Sequence, residues 1–490
     1  MSIRLIEVET LRLKSFNSSK PPPYAILSHT WVEDEEQIAE NPSHPATRTS
    51  GYYKIQKTCC QAWEHGLEYA WVDTCCIDKS SSAELSEAIN SMFRWYRNAA
   101  VCFAYLSDYR FLDSSHLRKM RECKWFTRGW CLQELIAPKH LIFYDRAWRA
   151  FGSRHDLQDL VASITLIDKG VLEDHTIMYS LPVARKMSWA SSRITTRVED
   201  IAYCLLGIFD IHMPMLYGEG ERAFLRLQEE IIRQFNDMSI FLFSPKASEM
   251  TSMSSPEISQ TYEQSSTNYD SADSTSAEYL GDLMSFQFCG MFATSPVDFG
   301  TCRDVVHRPG SRAPFDRQAF AVTNRGIQLG RQELHCIQGK NCFIWETSFC
   351  HSNSTDSMVT GAIFLRKIGR NLFARVLLLP LTPADVGSHT LHNDACVLLY
   401  MTPSIHRQIC NALEAVLRIQ VKGCFAHRAL LSEPTPMDNW DESGKLFLIQ
   451  DYHSVVRPFM GSIRISPVSR RGKKLLSEGE KVLRTSFCRS

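Results

Sequence analysis

The chain has 490 residues, enough for two or three domains, with 44% apolar and 22% charged residues, as in ordinary globular proteins. Its formal net charge is zero, which excludes a general electrostatic attraction to nucleic acid or anionic membrane and leaves only local patches. The first residues, MSIRLIEVETLRLKSF, carry charges throughout and are no secretory signal. No stretch is long enough to span a bilayer, so a cytoplasmic protein is expected.

Residues 1–150 alternate strand and helix patterns. YAILSHTW (24–31) is a short apolar run ending in polar residues. YYKIQKTCCQAWEHG (52–66) has helical spacing through Ile55, Cys59 and Trp63, with Gly66 as its stop. LEYAWVDTCCID (67–78) reads as a buried strand and its loop. In SSAELSEAINSMFRWYRNA (81–99), Ser81 and Glu84 fit a capping box, and Leu85, Ile89, Met92, Phe93 and Tyr96 share one apolar face. AVCFAYLSD (100–108) and HLIFYDRAW (140–148) are two further strands. Strands joined by helices imply an α/β fold with a mainly parallel sheet flanked by helices.

Residues 151–244 are mainly helical, with Pro214 and the glycines of LYGEG between two helices; GEG reads as a turn, since it lacks the length and lysine of a phosphate loop. Residues 245–280 are rich in Ser and Thr and read as a disordered linker. Residues 281–466 are β-rich, interrupted by one helical pattern at 404–420. The tail, 467–490, is polar and basic and reads as solvated; its basic cluster also fits a nuclear-import signal.

In an open parallel sheet, ligands bind beyond the carboxyl ends of the strands. The polar residues of this chain gather there: Ser28, His29, Thr30 and Trp31 after the first strand, Asp73 and Asp78 after the second, and Ser107 and Asp108 after the third. The third leads on to WFTRGWCLQELIAP (125–138). There Thr127 is placed to cap a helix, and Trp130 and Glu134 lie four apart on one face. An indole over a carboxylate excludes water, raises the carboxylate pKa and offers a flat surface to a planar ring. The plain alternative is a core tryptophan and a solvated Glu134 paired with Arg128 or Lys139. The seventeen cysteines lie mostly in apolar runs and make no CxxC pair or zinc spacing, so no metal is expected. Cys75 or Cys76 with His29 would be the elements of a thiol hydrolase, but no nucleophile signature surrounds them.

PPYAILSHTW, GLEYAWVDTCCIDKSSSAELSEAINSMFRWY, WFTRGWCLQELIAP and KMSWASSRITTRVEDIAYCLLGIFDIHMPMLYGEGERAFLRLQEEII closely resemble the fungal HET domain of heterokaryon (vegetative) incompatibility proteins. The resemblance covers residues 1–245; GMFATSPVDF and VTNRGIQL resemble the segment that often follows. It implies a trigger of programmed cell death when unlike hyphae fuse. Some relatives append a nucleotide-binding domain and WD repeats; this chain has neither, which implies a stand-alone effector served by a separate sensor protein.

HET domains in turn resemble TIR domains, whose flavodoxin-like sheet fits the pattern above. Plant TIR domains carry a WCLxEL-like helix whose glutamate cleaves NAD. The resemblance places that catalytic residue at Glu134 and likens Ser28, His29 and Trp31 to the end of the first TIR strand; the reading of the strand ends and the helix adds Asp73, Asp78, Arg128 and Trp130 as substrate contacts. The arginine that TIR domains carry after the first strand has no counterpart; His29 and Trp31 stand in its place. NAD is then a substrate, and no cofactor or metal is called for. The alternative is a non-enzymatic module that signals by self-association, with SEAINSMFRWYRNA as a contact face.

Overall fold

A computed structural model describes residues 2–31, 50–244 and 288–309, and beyond 320 mainly the strands. The chain forms two compact units: Met1–Ser244 with Phe292–Pro309 and Phe349–Val359, and Pro245–Met291 with Gly310–Ser348 and Thr360–Ser490.

The first unit is built on a seven-stranded sheet in the order β2-β1-β4-β3-β5-β6-β7. Its strands are β1 (Ser2–Glu7), β2 (Arg12–Asn17), β3 (Tyr24–His29), β4 (Tyr69–Trp71), β5 (Val101–Tyr105), β6 (Leu141–Tyr144) and β7 (Ala150–Ser153). The middle strands β4, β3, β5 and β6 run parallel. Every residue of β3 and β5 is buried, as expected of parallel strands covered on both faces. The edges are antiparallel: the β1–β2 hairpin on one side and β7 on the other. The charged N-terminal segment thus forms a hairpin, not anticipated from the sequence, whose outer strand β2 exposes Arg12 and Lys14 and so blunts the edge.

Helices α1 (Ser50–Glu64) and α3 (Ser82–Asn98) follow the expected pattern, while α2 (Asp73–Cys76) is a short helix in the segment read as a loop. Gly66 ends the first at a φ of 71°, which suits a residue without Cβ. Trp63 is 64% exposed, and Ala62 takes the buried place beside Ile55 and Cys59. Ser81 caps α3 by accepting from the Glu84 amide at 3.3 Å. The Glu84 carboxylate turns instead to the Asp78 amide and the Arg4 guanidinium. Ile89, Met92, Phe93 and Tyr96 are buried in the unit's own core. That stripe is therefore not a free contact face for self-association.

Thr127 does not cap the catalytic-candidate helix. It ends the short helix α4 (Lys124–Thr127) and donates to the Lys124 carbonyl, and α5 (Cys131–Ile136) starts after its own N-cap residue, Trp130. The helical segment that follows comprises α6 (Gln158–Thr165), α7 (Lys169–Glu173), α8 (Val183–Ser188), α9 (Asp200–Tyr203), α10 (Leu206–Phe209) and α11 (Arg222–Gln234). The LYGEG turn before α11 holds Gly218 at φ 103° and Gly220 at φ 60°, and the Glu199 carboxylate accepts both their amides. Buried Gln228 of α11 exchanges two 2.9 Å hydrogen bonds with the backbone of Ala293, so the segment from Phe292 to Pro309 packs in this unit.

Helices α3 and α10 meet at Gly207, where an added Cβ would lie 2.2 Å from the Cβ of Phe93. That atom is fixed to the α3 backbone and cannot step aside. Gly207→Ala is expected to destabilise the unit by about 2–3 kcal/mol, read as a lowered midpoint in denaturant unfolding.

In the second unit, β8 (Phe288–Cys289) pairs with one of a longer set of strands: β10 (Ala321–Thr323), β11 (Gly326–Ile337), β12 (Cys342–His351), β13 (Val359–Gly369), β14 (Leu372–Val376) and β15 (His389–Leu399). The strand β9 (Val305–His307) belongs to the first unit and pairs with Phe349–His351. The path β11-β15-β14-β13-β12 closes on itself, because β11 also pairs with β12. Val482–Phe487, in the segment read as a solvated tail, is a strand paired with Phe459–Ile465. Leu417–Arg418, in the segment read as a helix, is a short strand. Residues 404–416 and the linker read at 245–280 lie outside the described residues. Among the described residues, no helix is long and apolar enough to cross a membrane.

Candidate active site

Numbered in chain order, the four parallel strands are arranged second, first, third, fourth. Connections leave the first strand in opposite directions, and this opens a crevice at the carboxyl ends of β3 and β5. Helix α5 packs against β3 and α3. Its C-terminal end is held by Arg154, whose guanidinium donates to the carbonyls of Leu135, Ile136, Pro138 and Lys139. A cation there meets the negative end of the helix dipole and satisfies acceptors that the helix leaves open.

Glu134 on α5 is 6% exposed. The Ser28 hydroxyl, at the end of β3, donates to Glu134 Oε2 at 2.5 Å and itself accepts from the Trp125 indole N–H at 2.7 Å. Burial pushes the Glu134 pKa up to about 7; the Ser28 hydrogen bond opposes this, and the Asp73 charge adds to it. The folded state holds this proton more tightly than the unfolded state, so stability falls as pH rises from about 4.5 to about 7. Glu134→Gln lacks that loss and is expected to be more stable than the parent at pH 8 by roughly 2–3 kcal/mol, with the gain gone below pH ~4.5. Urea unfolding at the two pH values checks it.

Glu134 opens into a cavity of about 490 Å³. One wall comes from the sheet ends, with His29, Trp31, Asp73 and Lys79. The Trp31 indole donates to Asp73 Oδ2 at 2.7 Å, Lys79 Nζ sits 3.4 Å from the Trp31 ring centre, and His29 Nδ1 is 3.7 Å from Asp73 Oδ1. The other wall comes from Arg128 and Trp130 before α5, and from Thr196, Arg197, Asp200 and Tyr217 of the helical segment. Asp200 accepts from the Trp130 indole at 3.2 Å and from the Tyr217 hydroxyl at 3.0 Å, and burial raises its pKa. Within this second wall, Arg128 bridges Ile194. Gly129 is needed there, since a Cβ would lie 2.5 Å from Thr195 Cγ2.

Residues 24–116, from β3 onward, match the heterokaryon incompatibility protein (HET) family, and residues 222–351 match a domain of unknown function, DUF8212. The vegetative incompatibility protein HET-E-1 of Podospora anserina is 48% identical over 227 residues, which is 44% of this chain. The N-terminal region is a HET domain. The match spans 17% of the length of HET-E-1. No solved structure matches the chain.

The HET domain and its helical segment bring together most of the residues singled out in the sequence. Glu134, His29, Trp31, Asp73, Arg128 and Trp130 line the cavity, and Ser28 reaches it through Glu134. Asp78 does not: its carboxylate folds back onto the amide and hydroxyl of Ser80, a local turn that satisfies it away from the cavity. Glu134 is no solvated helix residue, and neither Arg128 nor Lys139 pairs with it. Cys75 and Cys76 do not line the cavity; their thiols lie against the Val72 backbone, and contact with Cys76, then burial, pushes the Cys75 thiol well above its usual range. That environment suits a packing thiol and not a nucleophile. The residues that sequence reasoning missed are Trp125, Lys79, Thr196, Arg197, Asp200 and Tyr217. Thr196, Arg197 and Asp200 had a signal in the polar cluster TTRVED (195–200); Trp125, Lys79 and Tyr217 had none.

Proposed function

We propose that this HET-domain chain is an effector of vegetative incompatibility that kills the cell by cleaving NAD to nicotinamide and ADP-ribose, on a TIR-like sheet with Glu134 as the catalytic residue. The observation that carries the reading is Glu134 itself: a buried carboxylate with a pKa of about 7, opening into a cavity at the switch point of a parallel sheet.

Breaking the bond between C1′ of the ribose and the nicotinamide nitrogen sends its electron pair to the ring. Nicotinamide therefore leaves neutral and needs no proton. The ribosyl cation left behind is what an ionised Glu134 stabilises, as carboxylates do in glycoside cleavage. Water then adds to C1′ and gives up a proton, for which the same carboxylate is the nearest base. Ser28 fixes one oxygen of the carboxylate, Oε2. Trp31 and Trp130 offer flat faces to the rings of a dinucleotide.

The test is expression of the full chain in yeast cells with cellular NAD and viability followed together. The reading expects NAD to fall before viability does. Cells that die with NAD intact would remove the enzymatic claim and leave a non-enzymatic role in incompatibility.

A further inference from the structure

Arg128 and Arg197 stand on the same wall of the cavity, and neither forms an ion pair among the described residues. Each is held from the side. Nη1 of Arg128 donates to the Thr196 hydroxyl at 2.7 Å. The Arg197 guanidinium lies 4.6 Å from the centre of the Tyr217 ring, and the Tyr217 hydroxyl is fixed on Asp200. Asp200 and Glu199 are the nearby acids; the two oxygens of Asp200 are occupied by Tyr217 and Trp130, and Glu199 Oε1 accepts the Gly218 and Gly220 amides. The other lining acids, Asp73 and Glu134, belong to the sheet-end wall and α5. An anion entering the cavity is repelled by those carboxylates and drawn to the arginines, whose forked donors suit phosphate oxygens.

We propose that Arg128 and Arg197, with the Thr196 hydroxyl, form a phosphoanion subsite, which on the NAD-cleaving reading takes the pyrophosphate of the dinucleotide. Arg197 and Thr196 come from the helical segment, not from the sheet. The segment thus supplies the binding half of a site whose reactive half lies on β3 and α5. Orientation follows: with its phosphates on this wall, a dinucleotide can present a ribose to Glu134.

The test is calorimetric binding to the purified full chain carrying Glu134→Gln, which keeps any turnover out of the measurement. The probes are ADP and, as the phosphate-free control, adenosine. The expected result is tighter binding of ADP than of adenosine, with Arg128→Ala and Arg197→Ala each weakening ADP by about ten-fold or more and adenosine by less than about two-fold. Raising salt should weaken ADP alone. Arg197→Lys, which keeps the charge and loses the fork, should fall between. Failure of the parent to bind ADP, equal affinity for ADP and adenosine, or ADP affinity unchanged in both alanine variants would overturn the subsite. Arginine-dependent ADP binding in a chain that leaves NAD intact would keep the subsite and sink the catalytic reading. NAD cleavage with KM unchanged in both alanine variants would do the reverse.

Discussion

Glu134→Gln is expected to lower the rate of NAD cleavage by roughly 10³-fold or more, and to do so without unfolding the protein. The amide is nearly isosteric with the carboxylate and still accepts the Ser28 hydroxyl, so the packing of α5 is kept. What is lost, on the proposed mechanism, is the charge that meets the ribosyl cation. The same charge sets a pH dependence in the parent. Only the ionised form of Glu134 stabilises a cation, and its pKa is pushed up to about 7. Activity should therefore rise with pH through about 7 and level off above it, and the residual activity of the variant should lack that limb. Ser28→Ala removes the hydrogen bond that favours the ionised form, so it should move the limb to higher pH.

Arg154→Ala is expected to cost about 3–5 kcal/mol of stability, the largest loss from any single change considered, and to take activity with it. Arg154 is 5% exposed and its guanidinium serves four backbone carbonyls in the turn that ends the Glu134 helix. Removing it leaves buried acceptors without donors at the end of the helix that carries Glu134. Thermal unfolding of the two proteins measures the loss. Arg154→Lys should recover only part of it, because a single ammonium cannot span the carbonyls that the planar fork reaches.

The strands and helices of the HET domain are legible because their apolar spacing is set by the sheet that buries them. β3 and β5 read as continuous apolar runs since both faces are covered, and α3 shows its buried stripe at helical intervals. The β1–β2 hairpin was hidden by its own position, as an edge strand has little need of apolar residues. Glu134 was legible as one of a pair four apart, and the resemblance to HET and TIR domains raised it further. Its partners were less so. The tryptophan that reaches Glu134 by way of Ser28 is Trp125, five residues before the one expected, because the helix begins only at Trp130. Trp130 turns its N–H to Asp200, seventy residues on. Such pairings are made by tertiary packing, and no local spacing encodes them. Asp78 failed for the opposite reason: a polar residue at a strand end can be satisfied within its own turn.

The HET domain, the buried Glu134 and the two-walled cavity lie in a single unit, and the proposal to be tested is that Glu134 cleaves NAD. The most direct measurement is a time course of the purified full chain with NAD at pH 8, following nicotinamide and ADP-ribose by NMR, beside the Glu134→Gln variant. The account predicts equal amounts of the two products from the parent and none above background from the variant. Equal release by both proteins, or no release by the parent at any protein concentration, would contradict it.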